Sequence, residues 1–270
     1  MGTAADRWRE LLLQWGIPRE ILAGAPESPW TFSTELFARR AVAATADTPS
    51  ARTAMDALPE GGSVLDVGCG AGAASLPLAS KAGQLIGVDS SPQMLGAFRA
   101  LAEDAGAHAA AIEGSWPEVA DEVPQADVVV CHHVFYNAPD LPLFAAGLTD
   151  HARGRVIVEM TQEHPRKSRN PLWLRFHGLR RPEGPTAHDA VAVLRDMGIE
   201  PAREDWDNPV GVGFDTFEEL VANVRRELCL TADRDEEIAE AITGLAVERD
   251  GSFGFPPSPL VTLSWAGTAV

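Results

Sequence analysis

The order of residues predicts a doubly wound α/β fold built on a mostly parallel sheet, and three observations carry that prediction. Ser63 to Val67 form a short apolar, β-branched run that passes at once into a glycine-rich turn, so that Gly62 to Gly72 reads GSVLDVGCGAG. A second run, Gln84 to Asp89, ends in a carboxylate. Further buried-strand patterns at residues 107–113, Ala126–Cys131, Arg155–Met160, 199–207 and Leu260–Trp265 alternate with helical spacing, which brings the strand total to seven.

Gly68, Gly70 and Gly72 let the backbone of the turn approach a ligand and present its amide hydrogens. In a doubly wound sheet Asp89 lies beside that turn, where it can accept hydrogen bonds from the two hydroxyls of a ribose. Two nucleoside readings follow. A dinucleotide turn runs G-x-G-x-x-G into a helix whose N-terminus holds a pyrophosphate. Here the spacing is G-x-G-x-G, and Asp66 stands two residues before the first glycine. That acid repels a pyrophosphate and suits an ammonium group.

From Val64 to Gly72 the chain resembles the first motif of the class I S-adenosylmethionine-dependent methyltransferases, and the likeness extends over about residues 55 to 160. The resemblance implies S-adenosylmethionine as cofactor, its methionine moiety wrapped by the turn and its ribose held by Asp89. It also implies that the last strand, Leu260 to Trp265, is an antiparallel edge strand. Cofactor-binding candidates on this reading are Asp66, Gly68, Cys69, Gly70, Gly72, Asp89, Ser90, Met94, Gly114, Ser115, Trp116 and His132. Family members usually carry Gly-Asp where this chain has Gly114-Ser115, so the adenine contact falls to the serine hydroxyl or to stacking on Trp116, which could equally be plain packing.

Composition narrows the partners. With 22 basic and 39 acidic residues the formal net charge is −17, which disfavours a phosphate-tracking surface and points to a small-molecule substrate rather than nucleic acid. The Asn/Asp-Pro-Pro-Tyr-like run of many base methyltransferases is replaced by His132-His133-Val134-Phe135. Cys69, Cys131 and Cys229 lack metal-ligand spacing, so free thiols and no metal are expected. No apolar run is long enough to span a bilayer, and Asp6, Arg7, Arg9 and Glu10 charge the N-terminus; a cytoplasmic protein without membrane contact is expected.

Four regions are expected along the chain. Residues 1–58 form a helical cap: Trp8, Leu11, Leu12 and Trp15 follow helical spacing, a second helix spans about Thr34 to Thr45, and Thr48-Pro49 caps a third that reaches Leu58. In the family such helices cover the substrate mouth; Trp8, Trp15 and Trp30 also read as core packing. Residues 59–163 are the Rossmann-like cofactor core, with a helix after Gly72 despite Pro77, another starting at Ser90-Ser91-Pro92, and one over about Leu141 to His151. Residues 164–198 hold a lid segment and a helix from Pro185 to Gly198. Residues 199–270 complete the sheet around helices at Phe217–Leu230 and Asp235–Val247.

Open α/β sheets bind ligands at the carboxyl ends of their strands, and the catalytic candidates stand there: His133, Tyr136, Glu159 and His164. His132 and His133 cannot both face the same way on a strand; His133 is favoured as the pocket residue and general base, with a backbone contact to the cofactor as the alternative. Tyr136 could orient a nucleophile, lie over a sulfonium or cap the helix near Asp140. Glu159 could be a base, bind an ammonium, or be a solvated strand-end carboxylate.

Between His164 and Arg181 stand Arg166, Lys167, Arg169, Arg175, Arg180 and Arg181 with no acidic residue, interleaved with Trp173, Phe176 and Leu179. This segment reads either as a lid whose arginines recognise a carboxylate or phosphate on the substrate, or as charges paired with the acidic remainder of this subunit or of a homodimer partner. The expected function is methyl transfer to an O, N or C atom of a small, anionic or neutral molecule. An NAD(P)-dependent oxidoreductase and a non-catalytic nucleoside-binding regulator are the competing readings.

Overall fold

Strands β1 (Gly62–Val67), β2 (Ala82–Asp89), β3 (Ala109–Glu113), β4 (Ala126–His132) and β5 (Ala152–Thr161) pair in parallel in the computed structural model, which describes residues 2–31, 33–207 and 213–268. With β6 (Ala202–Trp206) and β9 (Leu260–Ala266) they make a seven-stranded sheet of order β3-β2-β1-β4-β5-β9-β6. A separate two-stranded ribbon joins β7 (Val247–Arg249) to β8 (Ser252–Gly254). The last strand is antiparallel as expected, yet it lies between β5 and β6, and β6 is the edge.

Central parallel strands are covered on both faces, so their side chains sort by parity. Leu65, Val67, Val129, Cys131, Val156 and Val158 join one core, under α1 (Ala4–Leu13), α6 (Leu141–His151) and α8 (Ala187–Asp196). Val64, Val128, Val130 and Ile157 join the other, under α4 (Pro49–Ala57) and α5 (Pro92–Asp104). The N-terminal helices are therefore split between the faces. Trp8 on α1 is wholly buried and its indole donates to the Ala138 carbonyl at 2.8 Å, so α1 belongs to the core rather than to a cover over the mouth.

A third apolar cluster gives the segment expected to be a lid, together with later helices, a core of its own. It joins Ile17 to Leu172 and Trp173 of α7 (Asn170–His177), to Leu220, Val221 and Val224 of α9 (Phe217–Glu227), and to Ile238 and Ile242 of α10 (Asp235–Ile242). The short α2 (Arg19–Ala23), whose Ile21 and Leu22 pack on this cluster, and α7 were not foreseen. The helix expected to reach Val247 stops at Ile242, and Val247–Arg249 is strand. Only α2 and α3 (Thr34–Ala43) remain to border the mouth, and Phe37 of α3 faces the glycine turn: a Cβ on Gly70 would lie 3.2 Å from its ring.

One expected crossover helix is missing. Residues 73–81 form turns and a 3-10 stretch at Leu76–Leu78 before β2 begins. The glycine turn takes the first part of this connection, and Pro77 disfavours an α-helix in what is left.

Trp8→Ala should destabilise the protein by about 3–5 kcal/mol, through the cavity and the orphaned Ala138 carbonyl. Urea unfolding measures this; a loss below ~1 kcal/mol would mean that α1 is dispensable to the core.

Candidate functional site

The crevice opens where β1 and β4 end and the chain parts to either side, the position in which open α/β sheets hold ligands. The turn after β1 is pinned by its neighbour. The amides of Gly68 and Cys69 donate to the Val88 carbonyl at 2.8 and 3.0 Å, and the Gly70 amide donates to Asp89 Oδ2 at 2.9 Å. Asp89 Oδ1 accepts from the Ser91 amide at 2.9 Å, and Ser91 caps α5. A carboxylate offers about four acceptor positions, so two remain for a ribose.

The glycines serve the protein as much as a ligand. Gly68 has φ 70°, and a Cβ there would lie 2.4 Å from Val134. At Gly72 the same atom would meet Phe98 at 2.8 Å. Cys69 is buried behind the turn, its thiol pushed up by burial and then by Asp66 and Asp89. The three cysteines are buried free thiols.

Asp66 is 1 % exposed; Oδ2 accepts from the Ser75 hydroxyl at 2.6 Å, while Oδ1 is buried without a hydrogen-bond partner. Burial pushes its pKa up to about 7, with Asp89 adding to the rise and Ser75 opposing it. An acceptor orphaned in this way is a place for a cation with protons to give.

On the other wall the structure brings His133 and Glu159 together. His133 sits just past β4 with φ 62°, a backbone region that non-glycine residues occupy at a cost of about 1–3 kcal/mol and that gathers at functional sites. Its amide donates to the Glu159 carbonyl at 2.7 Å, and its Nε2 lies 3.1 Å from Glu159 Oε1. His132 turns the other way: its Nδ1 stands 3.9 Å from Glu159 Oε2, and its Nε2 is buried without a partner. Burial lowers the His132 pKa, Glu159 working against it. Glu159 is 8 % exposed, so it is not a solvated carboxylate. Burial alone would raise it, but His132, His133 and the Ser50 hydroxyl together hold it below its usual range.

A hydrogen-bond chain reaches Glu159 from behind. The Trp206 indole donates to Thr262 Oγ1 at 3.0 Å, and Thr262 Oγ1 lies 2.7 Å from Ser50 Oγ. An indole only donates and a carboxylate only accepts, so the two hydroxyls between them point toward Glu159. Glu159 then accepts from His133 Nε2, which leaves Nδ1 as the lone-pair nitrogen. Ser50, Thr262 and Trp206 were missed, since no local pattern marks them.

Other expected site residues have different neighbours. The Tyr136 hydroxyl donates to the Thr161 carbonyl at 2.8 Å and meets its hydroxyl, and burial raises its pKa; it is committed inside the protein and neither orients a nucleophile nor caps α6, whose cap is Asp140. His164 is 5 % exposed and stacked on Trp15 at 3.7 Å, its pKa lowered to about 3 by burial and then by Arg166 and Arg181, so it is packed as neutral imidazole and is no base. The Trp116 indole donates to the Phe144 carbonyl at 3.3 Å and the ring packs edge-on to His151, which turns it onto α6 and away from adenine stacking. Met94 is buried in the core, whereas Ser90 and Ser115 stand exposed at the ends of β2 and β3. Gly114, with φ 159°, bonds its amide to the Asp89 carbonyl at 3.0 Å.

These residues fit S-adenosylmethionine: Asp66 for the ammonium, Asp89 for the ribose, and the exposed Ser90 and Ser115 beside the adenosine. A pyrophosphate fits poorly, because no α-helix starts after Gly72 and the orphan oxygen of Asp66 is anionic when ionised.

Asp66 also sets a pH dependence. Its folded pKa lies above the ordinary carboxylate value, so the stability it contributes is present at low pH and is lost as pH rises through about 7. Stability of the ligand-free protein should therefore fall relative to Asp66→Asn over that rise, read as urea midpoints; parallel profiles would contradict the assignment. Asp89→Ala should weaken S-adenosylhomocysteine binding by about tenfold or more in calorimetry, through lost charge-assisted bonds and a loosened turn; unchanged affinity would remove Asp89 from the site.

Comparison with known proteins agrees with this geometry. Residues 64–153 match the family model described as a methyltransferase domain. A ubiquinone biosynthesis O-methyltransferase of Azorhizobium caulinodans is 34 % identical over 97 residues, covering 35 % of this chain and 38 % of that protein. The chain thus spans 38 % of the length of the curated relatives it matches. Among solved structures, YcgJ of Bacillus subtilis aligns with a TM-score of 0.54 at 17 % identity, over 81 % of this chain and 97 % of that one. A cyclopropane-fatty-acyl-phospholipid synthase-like protein of Lactobacillus casei aligns at 0.52 and 16 % identity, over 96 % and 98 %. These two likenesses concern the fold. Residues 64–153 thus resemble a methyltransferase domain, and the chain as a whole shares its fold with YcgJ and with the synthase-like protein.

Proposed function

We propose that this protein transfers the methyl group of S-adenosylmethionine to a nucleophilic atom of a small molecule, with oxygen as the favoured acceptor atom. The observation that carries the proposal is the His133–Glu159 pair, held in a strained backbone immediately before Val134, which itself packs on Gly68 of the cofactor turn. The O-methyltransferase relationship points the same way.

The chemistry such a cofactor supplies is a methyl group already activated on a sulfonium. What remains for the chain is to bind, to orient, to exclude water and to take up a proton. Asp66 meets the ammonium and Asp89 the ribose. His133 Nδ1 accepts the acceptor's proton as the new bond forms, and Glu159 stabilises the resulting imidazolium through Nε2–H. Ser50 and Thr262 keep Glu159 ionised and in place without joining the transfer. The lid body and α3 close the mouth above.

His133→Ala should lower kcat roughly 100-fold or more, while S-adenosylhomocysteine affinity stays within about twofold. Release of S-adenosylhomocysteine from a panel of phenols, hydroxy acids and amines provides the assay. Full activity in the variant would show that acceptors need no base here, and absence of turnover with every acceptor in the wild type would favour a non-catalytic nucleoside-binding protein.

A further inference from the structure

Residues 133–137 show what keeps His133 in a backbone that a side chain disfavours. A non-glycine residue stays in the left-handed region only where its surroundings over-determine it. At the start of this loop the His133 amide is tied to the Glu159 carbonyl at 2.7 Å. The chain then curls through a 3-10 turn at Phe135–Asn137, closed by the Asn137 amide on the Val134 carbonyl at 2.8 Å. Phe135 is wholly buried and packs edge-on to Phe144 at 5.8 Å. The bond that returns the far side of the loop to the sheet comes from Tyr136, whose hydroxyl meets Thr161 at the end of β5.

The partners fix the direction of that bond. Thr161 Oγ1 gives its one proton to the Glu163 carbonyl, which can only accept. Toward the phenol Thr161 Oγ1 is therefore an acceptor, as is the Thr161 carbonyl at 2.8 Å. The Tyr136 hydroxyl thus donates to two atoms of one residue. Burial keeps the phenol protonated into the alkaline range, so the donor persists.

The ring is held as well as the oxygen. His164 packs edge-on to Tyr136 at 5.3 Å and stacks on Trp15 at 3.7 Å. The Trp15 indole in turn donates to the Gly184 carbonyl at 2.6 Å.

Both ends of the loop are accordingly stitched to one strand, the His133 end at Glu159 and the Tyr136 end two residues on at Thr161. Between the stitches Val134 packs on Gly68 of the cofactor turn. Cutting the second stitch lets residues 134–137 swing, and the strained torsion of His133 can then relax and carry Nε2 off Glu159.

We propose that Tyr136, through its two hydrogen bonds to Thr161, is a positioning residue for His133, holding the loop in the turn that sets His133 Nε2 on Glu159 and Nδ1 toward the methyl acceptor. The inference rests on the methyl-transfer reading for the role of His133 as base. Tyr136 acts through His133 and takes no part in the proton transfer.

Tyr136→Phe removes the hydroxyl and keeps the ring. In a crystal structure of this variant His133 Nε2 should lie beyond hydrogen-bond distance of Glu159, with the glycine turn and Asp89 unmoved; an unaltered His133 would overturn the proposal whatever the kinetics. The variant should lower kcat about tenfold or more, because a displaced base is a poor one, and leave S-adenosylhomocysteine affinity within about twofold. Wild-type kcat would overturn the proposal too. In a His133→Ala background the same substitution should lower kcat no further, since the positioned group is gone. An equal loss in both backgrounds would show general loosening of the protein and count against a positioning role. Retained S-adenosylhomocysteine binding certifies the fold, and should Tyr136→Phe not fold, Thr161→Val carries the same measurements.

Tyr136 is the only tyrosine in the sequence, so the ultraviolet absorbance of ionised phenol reports on it alone. In the folded wild type it should not ionise at the ordinary value of about 10; ionisation there would show a free hydroxyl and remove the tether. If His133→Ala keeps full activity, the reading of His133 as base falls, while the crystal structure and the absorbance titration still decide whether Tyr136 holds the loop.

Discussion

The carboxylate of Asp89 is the tie on which the carboxyl edge of the sheet depends. One oxygen holds the Gly70 amide and the other holds the Ser91 amide, so a single side chain fixes the turn after β1 against the start of α5. The Asp89 carbonyl accepts from Gly114 and thereby aligns the end of β3 as well. With three chain segments set by one residue, Gly68 can pack on Val134, and that contact places His133 at the rim of the same turn. The two halves of the site are thus positioned by one short set of bonds.

Around that tie the protein accepts electrostatic cost. Asp66 is buried with one oxygen unmatched, and His133 is held in a left-handed backbone. Other polar groups at the site are matched, as in the chain from Trp206 through Thr262 and Ser50 to Glu159. An unmatched buried acceptor and a strained backbone beside a crevice mark a place where a ligand is expected to complete the bonding.

Much of the fold was legible because its signals are local. Parallel strands buried on both faces must be continuously apolar, which made Val64–Val67, Val128–Cys131 and Val156–Val158 readable, and Thr48 does cap α4, its hydroxyl accepting from the Ala51 amide at 3.2 Å. Asp89 was readable from its place at a strand end. What escaped depends on distant partners. Nothing near Leu260 tells that its strand inserts between β5 and β6, and nothing near Ser50 tells that it will meet Glu159. Trp116, Tyr136 and His164 were placed at the mouth by position alone, yet their polar atoms and rings found partners within the protein. Pro77 and the short stretch before β2 were the available warning that no helix follows Gly72.

A crystal structure of the complex with S-adenosylhomocysteine tests the central claim most directly. The account predicts the ribose hydroxyls on Asp89, the ammonium on Asp66 Oδ1, and the sulfur facing His133. Electron density for the ligand outside the crevice between β1 and β4, or within it but with Asp66 and Asp89 untouched, would contradict the account.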